Sequence, residues 1–311
     1  MPLNIPQNLP AVSLLKEENI FVMDAFSASK QDIRPLKMVV LNLMPLKITT
    51  ETDLVRLLSN SPLQIELDFL KIKGHTPKNT SQEHMNEFYC DFDQIKEACY
   101  DGMIITGAPV ELMPFEEVAY WEEIKHIFNW AHTHVTSTLY ICWAAQAGLY
   151  HFHDVPKYDL ASKMFGIFKH TLNEPTHAIF RGFDDEFCVP HSRHTEIRRE
   201  DILNNPALTL LSESEDSGVY MVAARGGREF FITGHSEYSP LTLDGEYKRD
   251  VAKGLDITPP ANYYKNNDPS NSPIVRWRGH ANLLFTNWLN YFVYQATPFD
   301  RGEIKQLGDL K

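Results

Sequence analysis

Through its first half the chain alternates short apolar runs with segments whose apolar residues recur at helical spacing. Met38-Val39-Val40-Leu41-Asn42-Leu43 is nearly continuous, the pattern of a strand buried on both faces of a parallel sheet. Thr50-Glu51-Thr52-Asp53 then opens a helix whose apolar residues are Leu54, Val55, Leu57 and Leu58, with Pro62 beyond its end. Residues 65–69 set Ile65, Leu67 and Phe69 against Glu66 and Asp68 and read as a strand nearer an edge. Residues 92–100 suit a short helix, and 102–107 a third strand that ends in the turn Gly107-Ala108-Pro109. The strongest helical pattern covers 116–132, where Val118, Trp121, Ile124, Ile127, Phe128 and Ala131 share a face. A strand over 138–142 follows, then a helix from Trp143 to about Tyr150. The alternation predicts an α/β fold, doubly wound around a mostly parallel sheet with helices on both faces.

Beyond Tyr150 the pattern changes. Residues 151–215 read as loop-rich, with weak strands near 178–180 and 187–189. Two strong strands, 219–224 and 229–233, are joined through Arg225-Gly226-Gly227-Arg228, a hairpin signal. A short helix over 243–252 precedes a Pro/Asn-rich stretch, 258–273, and a loop of that length usually has a function or closes over a site. Residues 281–294 form a closing core helix, and the charged tail from Asp300 is expected to fray. Pro2, Pro6, Pro10 and Pro35 mark the first 36 residues as an irregular surface arm with a turn of helix near 13–18. The expected organisation is a single α/β domain over 1–311, with an N-terminal arm to about 35 and a C-terminal elaboration over about 241–311.

Composition narrows the functional classes. With 43% hydrophobic and 23% charged residues, the 311-residue chain has the make-up of a globular protein with a full core. A net charge of −12 lacks the basic footprint of a nucleic-acid binder. The first residues show no basic stretch followed by an apolar one, and no apolar run reaches the roughly 18 residues of a membrane span. Cys90, Cys99, Cys142 and Cys188 fit neither a disulfide framework nor a paired-cysteine metal site. A cytoplasmic protein with reduced thiols, binding neither nucleic acid nor membrane, is the expectation.

The chemistry centres on Ile141-Cys142-Trp143-Ala144-Ala145-Gln146-Ala147. A strand stops at the cysteine and a small-residue helix departs at once, as in a nucleophile elbow, where bulky neighbours would clash in the tight turn. A buried structural cysteine at a strand end is the alternative. A thiol nucleophile needs a base and a group to orient it. Gly234-His235-Ser236-Glu237 follows a strong strand, and residues two apart on extended chain point the same way, so His235 and Glu237 would project together. His132/His134 and His151/His153 lack a third ligand at metal spacing and read as surface histidines, leaving no metal site. Pro190-His191-Ser192-Arg193-His194-Thr195-Glu196 suits a polar pocket wall or a solvated turn equally. Lys163 and Arg249 are candidates for a substrate carboxylate, or surface charges.

These residues, taken with Asn42-Leu43-Met44-Pro45, Thr106-Gly107-Ala108-Pro109, Pro190-His191-Ser192, Tyr247-Lys248-Arg249-Asp250, Asn262-Tyr263-Tyr264 and Asn287-Trp288-Leu289-Asn290-Tyr291, resemble the homoserine O-acyltransferase family over nearly the whole chain. The resemblance implies a flavodoxin-like, class I glutamine-amidotransferase-like fold and an acyl transfer to L-homoserine in methionine biosynthesis. It implies that Cys142 forms an acyl thioester, that His235 is its base oriented by Glu237, and that Lys163, Ser192 and Arg249 bind homoserine. Backbone N–H groups at Trp143 and Ala108 would form the oxyanion hole. Family members with Glu at the position of Glu111 resemble acetyl users and those with Gly succinyl users. Like charges roughly 4 Å apart repel by about 4 kcal/mol at an effective dielectric of about 20, so Glu111 would reject a succinyl carboxylate. The implied partners are L-homoserine and acetyl-CoA, the latter a co-substrate with no further cofactor; a homodimer stays open. Ala144 departs from the Gly of many members but is still small. Tyr140 stands where amidotransferases usually have Gly, which argues against glutamine hydrolysis. Succinyl-CoA as donor and a cysteine amidase remain the rival readings.

Overall fold

The computed structural model describes residues 3–4, 8–17, 34–74 and 79–310. Its eleven strands form one sheet: β1 (Leu3–Asn4), β2 (Leu36–Leu41), β3 (Ile65–Lys71), β4 (Tyr89–Asp91), β5 (Tyr100–Ile105), β6 (Val135–Ile141), β7 (Tyr158–Leu172), β8 (Glu186–Glu196), β9 (Leu208–Ser214), β10 (Gly218–Ala224) and β11 (Glu229–Ile232). The order is β1-β3-β2-β5-β6-β11-β10-β9-β7-β8, with β4 added beside β3. Pairing is parallel from β1 to β11 along this path. From β11 to β8 it is antiparallel, because the hairpin at Arg225–Gly227 reverses the chain.

The continuous apolar runs follow from burial on both faces. Met38, Val40, Ile104, Leu139 and Ile141 enter the core on one side, beneath α1 (Pro10–Glu17), α2 (Lys47–Leu58) and the C-terminal helices. Their sequence neighbours Val39, Leu41, Met103, Ile105 and Tyr140 enter the other core, beneath α5 (Trp121–His134) and α6 (Trp143–His153). Between these lie α3 (Gln82–Phe88) and the single-turn α4 (Phe92–Ile95). Alternate residues thus point into opposite cores. Order and pairing make a doubly wound, mostly parallel α/β sheet extended on one side by antiparallel strands.

Several local expectations change. The 92–100 helix is cut to one turn because the chain must enter β5 at Tyr100. Residues 178–180 form a 3-10 turn, not a strand. The 151–215 region is strand-rich: β7, β8 and β9 lie there, with the short α7 (Arg199–Leu203) between the last two, and His170, His191, Arg193, Thr195 and Ser212 are buried among them. The tail does not fray, since Ile304 is fully buried and the Leu310 N–H donates to the Arg225 carbonyl at 3.0 Å. In the N-terminal arm α1 buries Leu9, Ala11, Val12 and Leu15; residues 18–33 lie outside the described residues. Two C-terminal segments follow β11 on the same side of the chain: α8 (Thr242–Ala252) and α9 (Arg278–Asn287), the latter continuing as a π-helical stretch over Trp288–Tyr294.

The 258–273 stretch is bolted to the sheet. Ala261 donates to Phe165 at 3.0 Å and accepts from Ile167 at 2.8 Å, across Gly166. At φ +147°, a Cβ on Gly166 would lie 2.4 Å from the Ala261 carbonyl oxygen, which only displacement of one backbone could relieve. Gly166→Ala is therefore expected to destabilise the fold by about 1–3 kcal/mol. Urea denaturation would register this as a lower midpoint at unchanged slope, and an unchanged midpoint would refute the rigid docking.

Candidate active site

Cys142 caps α6 with φ 54° and ψ −114°, a strained conformation for a side-chain-bearing residue. The strain is enforced on both sides. Its N–H donates to the Ile232 carbonyl at 2.7 Å, continuing the β6–β11 ladder, while its carbonyl accepts from Gln146 at 3.2 Å, starting the helix. Ala144 and Ala145 are fully buried, so no side chain crowds the turn. Because an α-helix leaves its first N–H groups without partners one turn earlier, α6 presents donors and its positive dipole end at the elbow.

β11 exits beside the elbow through Thr233 and Gly234. A Cβ on Gly234 would lie 2.7 Å from Val189 and 3.0 Å from His191, so only glycine lets this turn settle against β8. The His235 N–H donates to the Pro190 carbonyl at 2.8 Å. Its Nδ1 meets Glu237 Oε1 at 2.6 Å, and its ring stacks on Tyr238 at 4.1 Å between centroids. The ring and Cys142 line the same cavity. Burial favours the neutral imidazole, but attraction to Cys142 and Glu237 outweighs it and holds His235 well above its ordinary pKa. Thiol, imidazole and carboxylate therefore form a connected, desolvated line suited to nucleophilic acyl transfer.

Cys142 and His235 open into a cavity of about 390 Å³. The Gly107-Ala108-Pro109 turn with Glu111 lines one wall; Lys163, Ser192 and Arg249 line another. Lys163 Nζ lies 3.3 Å from Glu246 and 3.4 Å from Asp250, Ser192 Oγ donates to Glu246 at 2.5 Å, and Arg249 Nε donates to Asp250 at 2.7 Å. Two cations and two carboxylates thus face one space, a set complementary to an ammonium and a carboxylate on one small molecule. Glu237 stands behind His235, off the cavity wall. Trp143 is not among the cavity-lining residues, and its indole is buried against Phe115 and Tyr120. Among the cavity-lining residues none belongs to 258–273.

The 190–196 stretch resolves into a two-faced strand. Ser192 and His194 face the cavity, whereas His191, Arg193 and Thr195 alternate inward and are buried. Arg193 donates to His191 at 3.3 Å, to the Thr195 carbonyl at 2.6 Å and to the Ser217 carbonyl. Burial pulls its pKa down and attraction to Cys142 pulls it up. Desolvation keeps His191 well below the ordinary imidazole pKa and pushes His170 down to about 3, so both are neutral near pH 7. Thr195 Oγ1 donates to Gln146 at 2.7 Å, tying β8 to the elbow helix.

Glu246 and Tyr238 were not singled out in the chain as contributors to the site, whereas His194 belongs to the 190–196 stretch read as pocket wall or solvated turn. A usable signal existed for Glu246, which lies one helical turn before Arg249 and Asp250 on α8. His132 lies outside the site, paired with Glu229 at 2.8 Å. Among the described residues no group of three or more His, Cys, Asp or Glu is placed to hold a metal ion, and no helix is long and apolar enough to cross a membrane.

A doubly wound α/β sheet that sets an elbow cysteine beside a His–Glu pair has the architecture and side-chain set of enzymes that transfer acyl groups. The sequence profile of the homoserine O-succinyltransferase family matches residues 2–299, and the chain belongs to that family. It is 76% identical to a homoserine O-acetyltransferase from Parabacteroides distasonis over 310 residues, covering 100% of each chain. It is 73% identical to one from Bacteroides fragilis, over 98% of this chain and 100% of that one. A third, from Brevibacillus brevis, is 59% identical over 98% and 100%. Among solved structures, a glutamine amidotransferase from Thermotoga maritima superposes with a TM-score of 0.54 at 13% identity, over 84% of this chain and 100% of that one; this likeness concerns the fold alone.

His235→Asn, which cannot exchange a proton, is expected to lower kcat by about 10²–10⁴ in steady-state kinetics, and an unchanged kcat would deny His235 a part in proton transfer. Glu237→Gln removes one attraction on the imidazolium, so His235 should lose its proton at a lower pH than in the wild type. NMR titration of the imidazole checks the direction, and an unmoved titration would deny Glu237 its electrostatic part.

Proposed function

We propose that the chain is a homoserine O-acetyltransferase, moving an acetyl group from acetyl-CoA to the hydroxyl of L-homoserine through a thioester on Cys142, in cytoplasmic methionine biosynthesis. The observation that carries the reading is the set Cys142, His235 and Glu237 beside a cavity whose lining offers two cations and two carboxylates to an amino acid and also includes Glu111. The names of the full-length relatives point to acetyl rather than succinyl.

In the first half-reaction Cys142 Sγ attacks the thioester carbonyl carbon. The developing oxyanion is met by N–H groups at Trp143 and Ala108. The carbon–sulfur bond to coenzyme A breaks, and the imidazolium of His235 supplies the proton the departing thiolate takes. In the second, the homoserine hydroxyl attacks the acetyl carbonyl while His235 accepts its proton, and Cys142 leaves as thiolate. Arg249 and Lys163 bind the homoserine carboxylate, Glu246 and Asp250 the ammonium, and Ser192 helps orient both by holding Glu246. No step calls for a metal or a further cofactor.

Glu111 selects the donor. Its carboxylate accepts from the His194 N–H at 2.9 Å, which holds it at the cavity wall where a succinyl carboxylate would lie.

Acetyl-CoA supplied without homoserine should add one acetyl group to Cys142, seen by peptide mass spectrometry, and no label would end the thioester scheme. In competition, the wild type should prefer acetyl-CoA and Glu111→Gly should lose that preference by about 10-fold or more. A wild-type preference for succinyl-CoA would overturn the role given to Glu111.

A further inference from the structure

Glu111 sits on a loop with little to hold it. Leu112 is 63% exposed and Met113 39% exposed, so apolar burial does not fix the tip. What does reach it is Lys157, from the turn after α6. Its ammonium donates to the carbonyl of Glu111 and, at 2.7 Å, to that of Met113, and lies 4.9 Å over the Phe115 ring. Phe115 is buried and stacks on Tyr150 at 4.9 Å and on Trp121 at 5.4 Å, with Trp143, the residue after the elbow cysteine, at 6.0 Å. The Tyr150 hydroxyl also donates to Glu116 at 2.5 Å. The chain around Glu111 is therefore held from two sides of one turn: α6 reaches Phe115 and Glu116 through Tyr150, and the turn after α6 reaches the Glu111 and Met113 carbonyls through Lys157.

Two attachments locate the Glu111 carboxylate: its backbone is held by Lys157 and its side chain by the His194 N–H. A neutral residue at 157 would leave two loop carbonyls to water, and the carboxylate would be pinned at one end only. Partial burial lowers the Lys157 pKa, while Asp159, Glu111 and Glu116 attract the ammonium and favour its charged form.

We propose that Lys157 is a positioning residue for acyl-donor choice, clamping the 111–113 backbone so that the Glu111 carboxylate stays fixed at the cavity wall. The inference rests on the reading of Glu111 as the donor-selecting group. Lys157 itself does not line the cavity and touches neither Cys142 nor the homoserine-binding set.

The test measures kcat/KM for acetyl-CoA and for succinyl-CoA in the wild type, Lys157→Met, Lys157→Arg and Glu111→Gly. The ratio of the two donors on one sample is independent of how much of that sample is folded. Lys157→Met is expected to cut the acetyl preference about 10-fold, the scale of losing hydrogen bonds from a charged donor, with homoserine KM unchanged; Lys157→Arg should restore most of it. An intact ratio in Lys157→Met beside a collapsed one in Glu111→Gly would overturn the clamp and leave Glu111 standing. Equal loss of both donors in Lys157→Met would also overturn it, reducing Lys157 to a structural prop. An unchanged ratio in Glu111→Gly would remove the reading of Glu111, and the inference with it.

Discussion

Parallel pairing of β6 with β11 is the constraint on which the candidate site depends. Ile141 is registered against Ile232, and the Cys142 N–H extends the ladder by one more bond to the Ile232 carbonyl. The next residues on each strand then leave the sheet at the same level, one into the elbow and one into the Gly234–His235 turn. A shift of one residue would turn both side chains to the opposite face, because strand side chains alternate with period two. The apolar residues of these strands, buried on both faces, exclude such a shift: Leu139, Ile141, Phe230 and Ile232 would have to exchange cores with Tyr140 and Phe231.

Around this pairing the polar groups are arranged by depth. Nearest the elbow, desolvation alone would strip the charge from His235, and attraction to Cys142 and Glu237 keeps it. One layer deeper, His170 and His191 have no such partners and are neutral. Arg193 keeps its charge by donating to carbonyls and to His191, so its field acts on the elbow without a carboxylate to cancel it at contact distance. The same residue type thus takes opposite charge states according to what it faces.

Legibility differed from element to element for physical reasons. The parallel strands and α5 were plain because burial on two faces or one stripe writes itself into apolar spacing. β7 was missed because half its residues face solvent or the cavity, and Tyr158-Asp159-Leu160-Ala161-Ser162-Lys163 has no clean alternation. The 190–196 stretch could be either pocket wall or turn, since its inward residues His191, Arg193 and Thr195 are polar and satisfied only by His170, Ser217 and Gln146 from elsewhere in the chain. The tail from Asp300 looked free because Ile304, Leu307 and Leu310 stand singly among charged and polar residues.

The sequence by itself determined the elbow, the His235–Glu237 pair and the family, because each depends on residues close in the chain whose directions follow from local backbone geometry. Tertiary structure alone decided that Lys163, Ser192, Glu246 and Arg249 share one wall and that Lys157 holds Glu111. Those contacts join β7, β8, α8 and two turns, and their meeting is set by sheet register and helix packing, which no short stretch of chain encodes.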